Sequence, residues 1–220
     1  MIQGFEQLPD RLTEEAFLKA VIRKYHYSEE DYDSLCAVAK EILPLVRENF
    51  RCSYRLFVVN GKTFAKAAIT LGEMLDEVQY EYARKELLTE CYMMEALSGE
   101  LLLDAYAVFN NEIADKTDFH VARYYFLGSE PEYPIENLPD LLRELEIPVR
   151  CNDAYCMIPK KSVAFVAELT MDVNVRCRGI CMGCGSRNCP NRMQEENIGK
   201  RLANLTDIPM SYGFMKIFGI

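Results

Sequence analysis

Tryptophan is absent from this chain of 220 residues, and histidine occurs only twice, at His26 and His120. Both histidines sit in aromatic or apolar surroundings typical of structural residues, which leaves little basis for a histidine metal centre or a serine–histidine relay. Also missing are a G-x-S-x-G nucleophile elbow, a glycine-rich phosphate loop and a G-x-G-x-x-G fingerprint, so the common hydrolase, nucleotide-phosphate and dinucleotide motifs have no counterpart here. No run of 18 apolar residues exists, and no segment reads as a membrane-spanning helix. Positive charge is in deficit: 25 Lys and Arg face 34 Asp and Glu, and the net charge of −9 disfavours non-specific nucleic-acid binding. The nine cysteines are an odd number, and no secretory leader pattern opens the chain, so the expected setting is a reducing cytoplasm rather than a secreted disulfide scaffold.

What the chain does possess is sulfur concentrated in one place. Cys177, Cys181, Cys184 and Cys189 form a C-x3-C-x2-C-x4-C run interleaved with Gly179, Gly183 and Gly185. Four thiolates at such spacing can converge on one zinc ion or one [4Fe–4S] cluster, and the glycines permit the positive φ angles that such loops need. Arg176, Arg178, Arg187 and Arg192 flank the thiols, with no acidic residue between Asn174 and Arg192. Their charge partly offsets that of a thiolate site and would raise a cluster's reduction potential. Neither histidine is near, so a mixed Cys/His zinc site is not expected. Iron–sulfur cluster, structural zinc and free thiols all remain open on spacing alone. Cys36, Cys52, Cys91, Cys151 and Cys156 are scattered through apolar stretches and read as core residues.

Hydrophobic periodicity gives the rest of the organisation. A helix is expected after Thr13 with Ala16, Phe17, Ala20, Val21 and Tyr25 on its apolar side, and a second from Ser28, ended or kinked at Pro44. Leu56–Val59 and Ala67–Ile69 read as strands joined by the type I′ turn Asn60-Gly61. Helical pattern runs from Glu73 past Asn110, broken around Leu88-Thr89 and weakened at Ser98-Gly99, and too apolar to face water. Strands follow at His120–Leu127, Tyr155–Ile158 and Val163–Thr170, with a short helix around Asn137–Leu145. The fold class is α+β, helices packed on a central antiparallel sheet. Residues 1–172 form the main domain, with its N-terminal helices in 10–50, and residues 173–220 form a Cys-rich metal-binding segment and tail.

Three stretches carry a family likeness: Ala68-Ile69-Thr70-Leu71-Gly72 with the long helix ending in Leu103-Asp104-Ala105-Tyr106; Ala154-Tyr155-Cys156-Met157-Ile158-Pro159-Lys160-Lys161-Ser162-Val163, with its Met-x-Pro-x-x-Ser-Val pattern; and the two-helix opening around Lys24-Tyr25-His26-Tyr27-Ser28. Together they resemble the activation domain of cobalamin (vitamin B12)-dependent methionine synthase, in the free-standing form of anaerobic bacteria. The resemblance implies an accessory protein that reactivates a corrinoid-binding methyltransferase by reduction and remethylation, in methionine biosynthesis or related one-carbon metabolism. It implies S-adenosylmethionine as methyl donor, cobalamin carried by the partner, and an electron donor. Arg123, Gly128, Tyr133 and Pro134 stand where the family holds S-adenosylmethionine, with Tyr155 and Met157 nearby. In that segment Arg123 lies farther from Tyr133-Pro134 than in the family pattern, and Glu132 occupies the place of a glycine. The alternative is a non-catalytic module, stabilised by zinc at the four cysteines, that docks on a corrinoid protein.

Overall fold

The computed structural model describes residues 3–175, 177 and 180. These belong to the first of two units into which the chain divides, Met1–Gly185. Of the four clustered cysteines, Cys181, Cys184 and Cys189 lie outside the described residues.

The N-terminal third is helical. α1 (Gln3–Glu6) and a 3-10 turn at Leu8–Thr13 lead into α2 (Glu15–Lys24), and a second 3-10 turn at Glu29–Asp31 leads into α3 (Tyr32–Asn49). α2 buries Phe17, Leu18, Val21 and Ile22. Its inward stripe therefore passes through Leu18 and Ile22 rather than Ala16 and Ala20, the orientation that removes more apolar surface from water. Ser28 does open the second helical segment: its N–H and hydroxyl meet the Asp31 carboxylate at 2.8 and 2.7 Å. Pro44 neither ends nor breaks α3, which continues to Asn49. A proline there forfeits one helical hydrogen bond, but Leu35, Val38, Ala39, Ile42 and Val46 are buried on both sides of it and hold the helix against the core.

β1 (Arg51–Val59) and β2 (Lys62–Thr70) form the expected hairpin. Asn60 and Gly61 both take positive φ, 52° and 76°, as a type I′ turn requires. α4 (Met74–Arg84) and α5 (Leu88–Lys116) follow, then β3 (His120–Tyr125), α6 (Leu138–Glu144), β4 (Arg150–Cys151), β5 (Met157–Ile158) and β6 (Ser162–Thr170). The main sheet has the order β1-β2-β6-β3, antiparallel throughout, while β4 and β5 pair separately as a small ribbon. Ser98-Gly99 does not interrupt α5. The Ser98 hydroxyl is absorbed by the Met94 carbonyl at 2.7 Å, and Gly99 faces the Tyr25 hydroxyl.

Strand alternation sorts the sheet residues onto two faces. Ala65, Ala67, Ile69, Phe165, Ala167 and Leu169 turn toward α5 and the N-terminal helices. Ala68, Ala164 and Val166 turn the other way, onto Leu138, Leu141, Leu142 and Leu145 of α6 and its flank. The sheet is thus covered on both faces. α5 buries residues on most sides along its middle because it is wedged between the sheet and the other helices. Met93, Met94, Leu97, Leu101, Ala105 and Phe109 are all fully or almost fully buried on it. Tyr106, Phe109, Tyr124 and Phe165 interlock with centroids 5.0–6.4 Å apart, mostly edge to face, the arrangement that ring quadrupoles favour.

Candidate functional site

Two of the family-like stretches, far apart in sequence, meet at one end of the sheet. Thr70 closes β2 and Ser162 opens β6; the two are register partners, and their hydroxyl oxygens lie 2.8 Å apart. Ser162 also donates to the Pro159 carbonyl at 2.7 Å, the Leu71 N–H donates to the Lys161 carbonyl at 2.9 Å, and the Gly72 N–H donates to Thr70 Oγ1 at 3.1 Å. Gly72 has φ +96°, and a Cβ there would collide with the Asn49 side chain. The Ile158–Pro159 bond is cis. Lys160 donates its N–H to Asp76 at the start of α4, at 2.9 Å. Lys161, almost fully buried, pairs with Glu95 of α5, which also accepts from Gln79 at 3.0 Å. Burial works against the charge on Glu95, but the Lys161 and Gln79 contacts outweigh it and hold that carboxyl below its ordinary range. These residues lock β2, β6, α4 and α5 together.

The expected cofactor segment lies toward the opposite end of β6. Arg123 stands against Glu168 in the β3–β6 register, six residues from Ser162, a separation of roughly 20 Å along a strand. A bulge between Val121 and Arg123 turns the guanidinium over the Tyr125 ring, 4.7 Å from its centroid, and Tyr125 stacks on Tyr133 at 4.8 Å. The Arg123 guanidinium donates to Glu130 at 2.6 Å. The Tyr125 hydroxyl donates to Glu168 at 2.6 Å, and Lys62 donates to the same carboxylate at 2.7 Å. Burial, and then the Glu168 contact, push the Tyr125 phenol up to about 12. Glu168 is held below the carboxylate range, first by Lys62 and then by Tyr125.

Gly128 has φ +84° and receives its place from a tight loop: its N–H donates to the Tyr133 carbonyl at 2.7 Å, and the Tyr133 N–H returns to Glu130 at 3.0 Å. Pro134 precedes the short 3-10 turn Ile135–Asn137. Arg123, Gly128 and Tyr133 are therefore brought together. Tyr155 and Met157 pack on the same α6 layer, as do Tyr125 and Tyr133. Beside the loop is a cleft of about 330 Å³ that Tyr133 and Leu127 line together with Glu132, Asp140 and Glu144. Lys66 bonds Glu144 at 2.5 Å and lies 5.3 Å from the centre of the Phe57 ring. The sequence reading missed Lys66, Asp140 and Glu144. The Asp140/Glu144 spacing of four on a helix was the available signal.

A bound S-adenosylmethionine carboxylate does not fit this arrangement. Arg123 already serves Glu130, Lys66 is taken by Glu144, and Glu132 adds a further carboxylate to the neighbouring cleft.

Cys177 is anchored on the strand that carries Arg123: its N–H donates to the Val121 carbonyl at 3.1 Å, and its side chain packs against the main core. It also stands close to Tyr124, whose phenol burial raises strongly and the nearby thiol raises further. The four-thiol run thus begins at the outer edge of β3. Among the described residues no group of three or more His, Cys, Asp and Glu side chains is placed to hold a metal ion. No described helix is long and apolar enough to cross a membrane. No family model matches the chain, and a search of curated proteins finds no match.

Proposed function

We propose that this protein is an accessory factor for reactivating a corrinoid-dependent methyltransferase such as methionine synthase. It acts by docking over the cobalamin of that partner. The observation that carries the reading is the meeting of the Ala68–Gly72 and Met157–Val163 segments through the Thr70–Ser162 hydrogen bond. Their place side by side at one end of the sheet supports the reading, since the resemblance requires both stretches to serve one site. The anchoring of Cys177 on β3 ties the start of the sulfur-rich run to that same body. Four thiolates suit a [4Fe–4S] cluster or zinc, and a cluster, when bound, would supply one electron to cob(II)alamin. The chain's own part is positioning and electrostatics.

The engagement of Arg123 with Glu130 favours reduction or docking over methyl donation as this chain's contribution. It also keeps a second reading in view, a non-catalytic module stabilised by zinc at the cysteines. A purified cob(II)alamin methyltransferase supplied with reductant and S-adenosylmethionine separates the two. The first reading predicts that this protein accelerates recovery of methylcobalamin and that Cys184→Ser abolishes the gain. Recovery that is indifferent to the protein would overturn it, and a stable complex with an unaltered cobalt spectrum is the mark of the second.

A further inference from the structure

The sheet treats its two edges differently. The β3 edge is short, bulged between Val121 and Arg123, and covered where Cys177 donates to Val121. Among the described residues the β1 edge has none of these protections: nine residues in unbroken register, without proline or bulge. Among the described residues no strand pairs with its outer side. Leu56, Val58 and Val59 are exposed there, by 43, 67 and 47%. Long regular edges with apolar side chains are templates for another strand, and proteins that must stay monomeric blunt them.

We propose that the β1 edge pairs with the β1 edge of a second copy of this chain, giving a continuous eight-stranded sheet. The hairpin fixes which groups are available. Val59 and Lys62 flank a two-residue turn and bond each other, so the odd-numbered residues of β1 turn their backbone groups to β2. The N–H and C=O groups of Cys52, Tyr54, Leu56 and Val58 point outward. A two-fold axis beside Leu56 sets Leu56 against Leu56 of the second copy and Tyr54 against Val58. These three pairs exchange about six backbone hydrogen bonds. On one face this register places only apolar and aromatic side chains opposite one another. On the other it sets each Arg55 against Phe57, a cation–aromatic contact. A shift of one step toward Arg51 would oppose Arg55 to Arg55, a like-charge pair that disfavours that register, and a shift the other way leaves only the two Leu56–Val58 pairs within the strands to exchange hydrogen bonds. Charge on one side and the number of paired residues on the other thus select the Leu56-centred arrangement.

An interface made mainly of one strand pair is at the small end of specific interfaces, so the dimer should dissociate in the micromolar range. Sedimentation equilibrium of the full chain tests it. The expected result is a weight-average mass that climbs from monomer toward dimer between about 1 and 200 µM, with Leu56→Lys and Val58→Pro each weakening association by at least roughly tenfold. Val58→Pro removes an outward N–H and none of the donors of the β1–β2 ladder; circular dichroism checks that each variant folds. Mixing Leu56→Lys with Leu56→Glu should restore the dimer, because opposite charges then meet at the axis. A wild-type chain that stays monomeric throughout, a dimer indifferent to both substitutions, or a folded Lys/Glu mixture that fails to associate would each overturn the proposal. So would association only with an unrelated extended peptide.

Discussion

At Gly72 the backbone leaves a side chain no room. The φ of +96° and the Asn49 side chain at the position of any Cβ combine two penalties, strain and overlap. Gly72→Ala should lower stability by about 2–4 kcal/mol, read as a shift of the urea midpoint with an unchanged slope. Glu168 offers a test by pH. Lys62 and Tyr125 hold its folded-state pKa below the ordinary 4.5, so it binds its proton less readily folded than unfolded. Its contribution is therefore complete above pH 4.5 and disappears as the pH falls through the folded value. Glu168→Gln should cost no more than about 1 kcal/mol at pH 7, since the lysine partner is well exposed to screening water. The difference from wild type should close in strongly acidic buffer. A gap that persists there would mean that packing, not charge, is what the substitution removed.

Among the elements, α5 sets the architecture and its buried acids are its weak points. Asp104 is 5% exposed and accepts from Arg11 at 3.0 Å. Burial raises the Asp104 pKa, and Arg11 opposes that rise. Arg11→Met leaves a buried carboxylate without this partner and should destabilise the protein by about 3 kcal/mol at neutral pH. The loss should shrink on acidification, because a raised pKa lets the folded state take up the proton first, and Asp104→Leu in the same chain should recover most of it. Additive losses in the double variant would contradict the pairing.

Pattern in the sequence was enough for the elements whose signal is local. Asn60-Gly61 announces its own turn, and of the run from Leu87 to Phe109 that reads as a buried helix, Met94, Leu97, Leu101, Ala105 and Phe109 are buried on α5 while Leu87 precedes the helix and is 39% exposed. Pro44 and the Leu18/Ile22 stripe were misjudged because packing on α5, which lies far along the chain, decides both. The helix at Asn137–Leu145 and a strand within Tyr155–Ile158 were legible, but β4 at Arg150–Cys151, its pairing with β5 and the layer they form with α6 were not, since a two-residue strand carries no period of its own. In the cofactor segment the residue types were readable, but the commitment of Arg123 to Glu130 depends on a bulge and a loop bridge that sequence does not signal.

The described residues form a sheet covered on both faces, with Cys177 bonded to one edge and, at the other, a strand β1 whose outer side no described strand pairs. The proposed positioning over a partner's corrinoid would draw on both the family-like segments and the cysteine run, and the proposed self-pairing would use β1, the edge opposite the one where Cys177 bonds Val121. The EPR spectrum of a cob(II)alamin-loaded methyltransferase, recorded anaerobically before and after one equivalent of this protein, is the most direct test. The account predicts that the cobalt signal changes its hyperfine pattern at that stoichiometry as the chain settles over the metal. A spectrum that stays the same at saturating protein, with no co-elution of the two, would contradict it.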